Sequence, residues 1–171
     1  RYGDGPAPVI HGNGAEAALL LSNQEFWDVR HLEFTNDAPA EGLRRGVLVR
    51  AENAGRALRG IRLLGLYVHH VMGKLGADIV SKTTGGIAVE ARGKDRPSRF
   101  DGLTIENCRV EHVDNTGIYT WSDFSPHPRD PLWEQLRFTS VVVRGNSILD
   151  TGKNAMGIRA SLAPRIERNT V

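Results

Sequence analysis

The chain has one cysteine, no long apolar run and almost no excess charge, and each shortage closes a class of function. A single cysteine, Cys108, excludes an internal disulfide. No stretch approaches the roughly 18 consecutive apolar residues that a membrane-spanning helix needs. With 22 basic and 20 acidic residues the net charge is +2, which is not the footprint of a nucleic-acid binder. A sustained helical period is also missing. Gly12-Asn-Gly14 and Gly85-Gly86 therefore read as turns, because no helix follows them to complete a phosphate cradle. The acidic residues do not fall into a calcium-loop frame either.

What the sequence has instead is repetition. Ile105 and Val110 stand five residues apart inside Leu103-Thr-Ile-Glu-Asn-Cys-Arg-Val-Glu-His-Val-Asp114. The same pair recurs as Val29 and Phe34, Leu63 and Val68, Val143 and Ile148, and Ile166 and Val171. Three residues after each first member come Leu32, Leu66, Cys108, Asn146 and Asn169, which makes Cys108 a core thiol. Two residues after the second member come Asn36, His70, His112 and Asp150. A second strand begins each time with glycine: Gly46-Val-Leu-Val, Gly86-Ile-Ala-Val, Gly117-Ile-Tyr-Thr and Gly157-Ile-Arg-Ala.

The repeat starts are separated by 34, 42, 38 and 23 residues. The shortest interval is one bare coil, and the longer ones hold polar insertions over 72–84, 91–99 and 122–136. Alternating Val, Ile, Leu and Thr give strands that match in one direction along the chain. A sandwich does not keep such a register, and a leucine-rich repeat would keep a fixed frame and coil length. The expected fold is all-β, a right-handed parallel β-helix with loop insertions between coils. Because the chain stops at Asn169-Thr-Val171, within a repeat, residues 1–171 are expected to be one partial β-helix domain without its terminal coils and caps.

The opening Arg1-Tyr-Gly-Asp-Gly-Pro-Ala-Pro-Val-Ile-His-Gly-Asn-Gly14 resembles the first coil of pectate-lyase-like β-helix proteins. Gln24-Glu-Phe-Trp-Asp-Val-Arg-His-Leu-Glu-Phe-Thr-Asn36 is similar to their next coil. The resemblance covers nearly the whole chain. It implies a carbohydrate-active protein, bacterial and extracellular or periplasmic, in a superfamily of polysaccharide lyases, glycoside hydrolases, epimerases and phage tailspikes. No catalytic motif carries across residue by residue.

Stacked coils place equivalent residues about 4.8 Å apart, so a polar column is a constellation without sequence neighbours. One column is Asn36, His70, His112 and Asp150, with Asp114, Asn115, Lys153 and Asn154 beside it. A histidine over an aspartate suits acid–base work. Paired carboxylates among Asp114, Asp123 and Asp150 suit glycoside hydrolysis, at roughly 5–5.5 Å for retention and 6.5–9.5 Å for inversion. Asp123 with Asp150 is the preferred pair. The two histidines His69 and His70, adjacent on a strand, are expected to face opposite sides.

A second column follows from the Gly-Ile strands. If Ile87, Ile118 and Ile158 point inward, then Tyr119, Trp121 and Arg159 point outward as a sugar platform. The loop Ser122-Asp-Phe-Ser-Pro-His-Pro-Arg-Asp-Pro-Leu-Trp-Glu134 adds His127 and Trp133 as candidate binding residues.

These features support an enzyme that cleaves glycosidic bonds in an extracellular polysaccharide or oligosaccharide. A glycoside hydrolase would use Asp114, Asp123 and Asp150 and need no cofactor. A lyase would use His112, Lys153 or Arg159 against a uronate, with Ca2+ as a possible aid. A non-catalytic glycan-binding or structural segment is the reading from another class. The expected partners are a glycan and the remaining coils of the parent chain, not nucleic acid or a membrane.

Overall fold

The computed structural model describes residues 8–76, 78–124 and 128–171. Among them the chain makes five coils of three strands each. The first is β1 (Val9–His11), β2 (Ala17–Ser22) and β3 (Asp28–Arg30), and the second β4 (Glu33–Asn36), β5 (Arg45–Glu52) and β6 (Ala57–Leu64). The third holds β7 (Tyr67–Val71), one helical turn α1 (Ile79–Lys82), β8 (Gly85–Arg92) and β9 (Arg99–Glu106). The last two are β10 (Arg109–Val113), β11 (Thr116–Ser122) and β12 (Val142–Arg144), then β13 (Ser147–Thr151), β14 (Asn154–Ile158) and β15 (Arg165–Glu167). Stacking gives three five-stranded sheets: A (β1-β4-β7-β10-β13), B (β2-β5-β8-β11-β14) and C (β3-β6-β9-β12-β15). Every strand pairing is parallel, so the fold is a parallel β-helix. No helix among the described residues is long and apolar enough to cross a membrane.

The apolar repeat is the inner wall. In sheet C, Val29 pairs with Leu63, Leu63 with Ile105, Ile105 with Val143 and Val143 with Ile166. In sheet A, Phe34, Val68, Val110 and Ile148 stack in the same way. Leu63, Ile105, Val143, Phe34, Val68 and Val110 are fully buried, each stabilising the fold by about 1.5–3 kcal/mol.

A column of left-handed residues turns the chain from sheet C to sheet A. His31, Gly65, Asn107, Gly145 and Arg168 all have φ between 51° and 64°. The next side chain then swings inward, which explains the buried column of Leu66, Cys108 and Asn146. Asn146 meets its buried amide locally: Nδ2 donates to the Ile105 carbonyl at 3.0 Å, and Oδ1 accepts from Cys108 N at 2.9 Å.

Three expectations are corrected by the register. Asn36 does not belong with His70, because Thr35 pairs with His69 and Asn36 with Val71 across a bulge. It is fully buried and ties the corner together, accepting from Gly14 N and donating to the Ala15 and Arg45 carbonyls. His69 and His70 do not face opposite sides: His70 has φ 47°, which breaks the two-residue alternation, and their Nδ1 atoms lie 2.7 Å apart. The Gly157-Ile158 copy is offset by one residue, since Ile118 pairs with Met156, Tyr119 with Gly157 and Thr120 with Ile158.

The glycine at the head of each sheet B strand has a packing cause. A Cβ at Gly46, Gly86 or Gly117 would collide with Val68, Val110 or Ile148, which fill the interior from sheet A. Gly157 is outside that column and serves another purpose: a Cβ there would lie 2.6 Å from Tyr119 Cδ2.

The 72–84 insertion folds back on the coils. Asp78 Oδ1 caps α1 through Ser81 N at 2.9 Å, and Asn115 Nδ2 donates to the Lys74 and Ser81 carbonyls. Thr83 Oγ1 accepts from Arg45 and Arg92, which brings the loop onto the outer face of sheet B.

Candidate functional site

The outer face of sheet B carries a connected polar network. Outward positions put Arg50 beside Glu90 and Glu90 beside Trp121. The Glu90 carboxylate, 1% exposed, accepts from Arg50 Nε at 2.9 Å on one oxygen and from Arg92 Nε at 2.9 Å on the other. Arg50 also bonds Glu16, whose carboxyl that guanidinium holds below its ordinary value. Burial opposes the charge on Arg50, and its bonds to Glu16 and Glu90 outweigh burial and raise its pKa. Both oxygens of the buried Glu90 carboxylate are thus paired with guanidinium donors.

Arg92 extends this ladder to Asp123, just beyond the end of β11. Asp123 Oδ1 accepts from Arg92 Nη1 at 3.1 Å and from Trp121 Nε1 at 2.9 Å, while Oδ2 accepts from Gly93 N at 3.3 Å. Three donors fix the carboxylate, yet its side chain remains 35% exposed. Two clefts meet there. One, of ≈ 580 Å³, is lined by Trp121, Asp123, Trp133, Arg137, Ile158 and Arg159. The other, of ≈ 640 Å³, is lined by Glu16, Arg45, Arg50, Glu90, Arg92 and Asp123. Asp123 is the acidic residue common to both, so the groove has an aromatic half and a charged half that join at one carboxylate.

Of the three residues expected to point outward on this face, Trp121 and Arg159 line the cleft and Tyr119 does not. Trp121 and Trp133 line the aromatic cleft. Tyr119 is only 4% exposed and lies under Trp121, with ring centroids 6.4 Å apart and planes 10° apart. It supports the surface instead of forming it. The one-residue register offset carries Arg159 past Tyr119 towards the level of Trp121, and its guanidinium carbon lies 6.0 Å from the Tyr119 ring. His127 lies outside the described residues.

The other candidates gather at the opposite end of the strands. His112 Nδ1 and Asp150 Oδ2 are 2.5 Å apart, in the predicted column. The pair is open to solvent, with side chains 50% and 71% exposed. The His70 ring centroid is 5.1 Å from that of His112, and His69 Nε2 meets Glu33 Oε1 at 2.8 Å. Asp114 lies near this pair, and burial, then the charges of Glu41 and Asp150, push its carboxyl up. Lys153 Nζ donates to the Gly76 carbonyl at 2.6 Å.

Asp114 precedes β11 and Asp123 follows it, and seven strand residues span roughly 23 Å. The structure therefore does not bring Asp123 together with Asp114 or Asp150. That separation exceeds both carboxylate spacings that glycoside hydrolysis uses. Sequence reasoning missed Glu90, Arg92 and Arg137. The first two sit in an ordinary strand, and only the parallel register aligns them with Asp123. Among the described residues no three His, Cys, Asp or Glu side chains are placed to hold a metal ion.

The chain is similar in structure to a GH136 lacto-N-biosidase from Eubacterium ramulus, with a TM-score of 0.84 and 23% sequence identity. The alignment covers 98% of this chain and 33% of that one, so the chain spans about a third of that protein's length. At this identity the likeness shows the fold. No protein-family model and no curated protein sequence matches the chain.

Proposed function

We propose that the groove on sheet B is the working face of a glycoside hydrolase whose substrate is an oligosaccharide containing a lacto-N-biose unit. The observation that carries this reading is the position of Asp123, a carboxylate with fixed orientation and an open edge where the two clefts meet. A glycan laid across that junction would rest one part on the indole-lined half. Its hydroxyls would meet the alternating guanidiniums and carboxylates of the other half. The structural neighbour, a lacto-N-biosidase, supplies the choice of sugar. An oligosaccharide of this kind accords with an extracellular location.

Glycoside hydrolysis needs a second carboxyl: one protonates the glycosidic oxygen while the other attacks the anomeric carbon or activates water. The loop after Asp123 offers Asp130 and Glu134. Asp130 shapes the turn that carries Trp133 into the cleft, with Oδ1 accepting from Leu132 N at 2.8 Å and its carbonyl from Trp133 N at 2.9 Å. In this reading Asp123 and one of these two residues form the pair, replacing Asp123 with Asp150.

The test uses the full-length protein, incubated with a lacto-N-biose-containing oligosaccharide while released disaccharide and the ultraviolet absorbance of unsaturated uronides are followed together. Disaccharide release without absorbance is expected, with Asp123→Asn lowering kcat by about a hundredfold or more at an unchanged melting temperature. Asp130→Asn and Glu134→Gln identify the second carboxyl by which one gives a comparable loss. Full activity in Asp123→Asn would overturn the assignment, and absorbance on a uronate polymer would redirect it to elimination.

A further inference from the structure

A second pair of clefts opens at the corner between sheets B and C, and neither includes Asp123. One, of ≈ 480 Å³, is lined by Glu25, Phe26, Arg56, Ala57, Arg59 and Arg99. The other, of ≈ 450 Å³, shares Arg56, Ala57 and Arg99, so the two are continuous. Its far wall comes from two insertions, with Pro97 and Ser98 from 91–99 and Gln135 and Leu136 from 122–136.

Phe26 stands at this corner at a cost that the fold does not explain. It has φ 58°, at the position that the next two coils give to Gly60 and Gly102, with φ 67° and 79°. A bulky side chain is strained in that region, where glycine is not. The ring is also 75% exposed, so no core burial offsets the strain. Gly60 makes room for it: a Cβ there would lie 2.9 Å from Phe26 Cδ1. One face of the ring therefore rests on the next coil.

The guanidiniums beside the ring outnumber their counter-charges. Glu25, the acidic residue of the cleft lining, is engaged on both oxygens, by Arg56 and by Arg59 N. The Arg59 guanidinium, its side chain 64% exposed, meets Asp101 only at 3.9 Å. Arg99 Nη1 donates to a neutral partner, the Gln135 carbonyl, at 2.8 Å. A flat apolar ring beside accessible planar donors suits a sugar that carries an anionic group.

We propose that this corner cleft is a second saccharide site, separate from the Asp123 groove, and that it binds an acidic sugar. The sugar ring stacks on Phe26, and its carboxylate or sulfate meets Arg59 and Arg99. The site does not depend on the hydrolase reading.

Glucose, glucuronate, glucose 6-sulfate and inorganic sulfate, each titrated against the full-length protein by ligand-observed NMR, test it. At least one acidic sugar is expected to bind about tenfold more tightly than glucose, the worth of one charge-assisted hydrogen bond. Preference for glucuronate assigns the carboxylate, and preference for glucose 6-sulfate assigns the sulfate. Arg59→Gln is expected to erase the preference. Phe26→Gly is expected to weaken binding of the acidic sugar without lowering the melting temperature, because glycine relieves the backbone strain. A purely structural Phe26 would give the reverse, a lower melting temperature with unchanged binding. Neither substitution is expected to change disaccharide release from a neutral oligosaccharide. No binding, equal binding of the three sugars, or a preference that survives Arg59→Gln would overturn the proposal. So would inorganic sulfate matching glucose 6-sulfate, which would mean an anion site without sugar recognition. The hydrolase reading fails separately: a protein that keeps the preference but releases no disaccharide has the corner site without the activity.

Discussion

Cys108 and Asn146 occupy the same corner in successive coils, and their side chains solve burial in two ways. Asn146 pairs its amide with the Ile105 carbonyl, Cys108 N and Asn169. Cys108 has a weaker polar group, and burial pushes its thiol up to about 11. The folded value lies above the 9.0 of an exposed thiol, so folding favours the neutral form. Its contribution to stability is therefore complete below pH 9.0 and declines as pH rises through about 11. A thiol reagent at pH 8 is expected to leave the native protein unlabelled and to modify one site per chain in denaturant. Rapid native labelling would place Cys108 outside the core. The buried network around Glu90 belongs to the same scale, because the Asp123 orientation depends on Arg92, and Arg92 on Glu90.

At the scale of the element, one sequence motif serves two purposes. Gly46, Gly86 and Gly117 are small because sheet A side chains occupy the space of their Cβ atoms, whereas Gly157 is small because the Tyr119 ring lies over it. Gly86→Ala is expected to cost about 1–3 kcal/mol through overpacking against Val110 and the Gly117 backbone, as read by urea denaturation. Gly157→Ala is expected to act on the site, tilting Tyr119 and with it Trp121. The repeated glycine before a β-branched residue was legible in the sequence, but its fourth copy, Gly157-Ile158, misled by one residue. The spacing of such dipeptides cannot show that Ala155 has taken the glycine position, between the Thr116–Asn154 and Ile118–Met156 pairs.

Across the whole molecule, each coil touches only its neighbours, so damage is expected to spread along the axis. Ile105 sits between Leu63 and Val143 with no exposure. Ile105→Ala is expected to cost about 2–5 kcal/mol. Hydrogen exchange should show protection falling first in β6, β9 and β12 and later in β3. Uniform loss over all strands would mean that the solenoid unfolds as a single unit. The same axial continuity makes the groove, since Arg50, Glu90 and Asp123 come from successive coils and meet only because the coils stack.

The sequence by itself determined the repeat, its parallel direction and its inner wall. Apolar side chains must recur at a fixed register for each coil to bury its face on the next, and a fixed register is visible in one dimension. It also carried Trp121, Asp123 and Trp133, which stand beside or within one long polar insertion. Only the tertiary structure decided which polar residues share a site. Left-handed residues such as His70 and the bulge at Asn36 shift side chains between faces without altering the apolar pattern. Strand length did the rest: seven extended residues carry Asp123 well away from Asp114 and His112, and bring it instead to Arg92 one coil below.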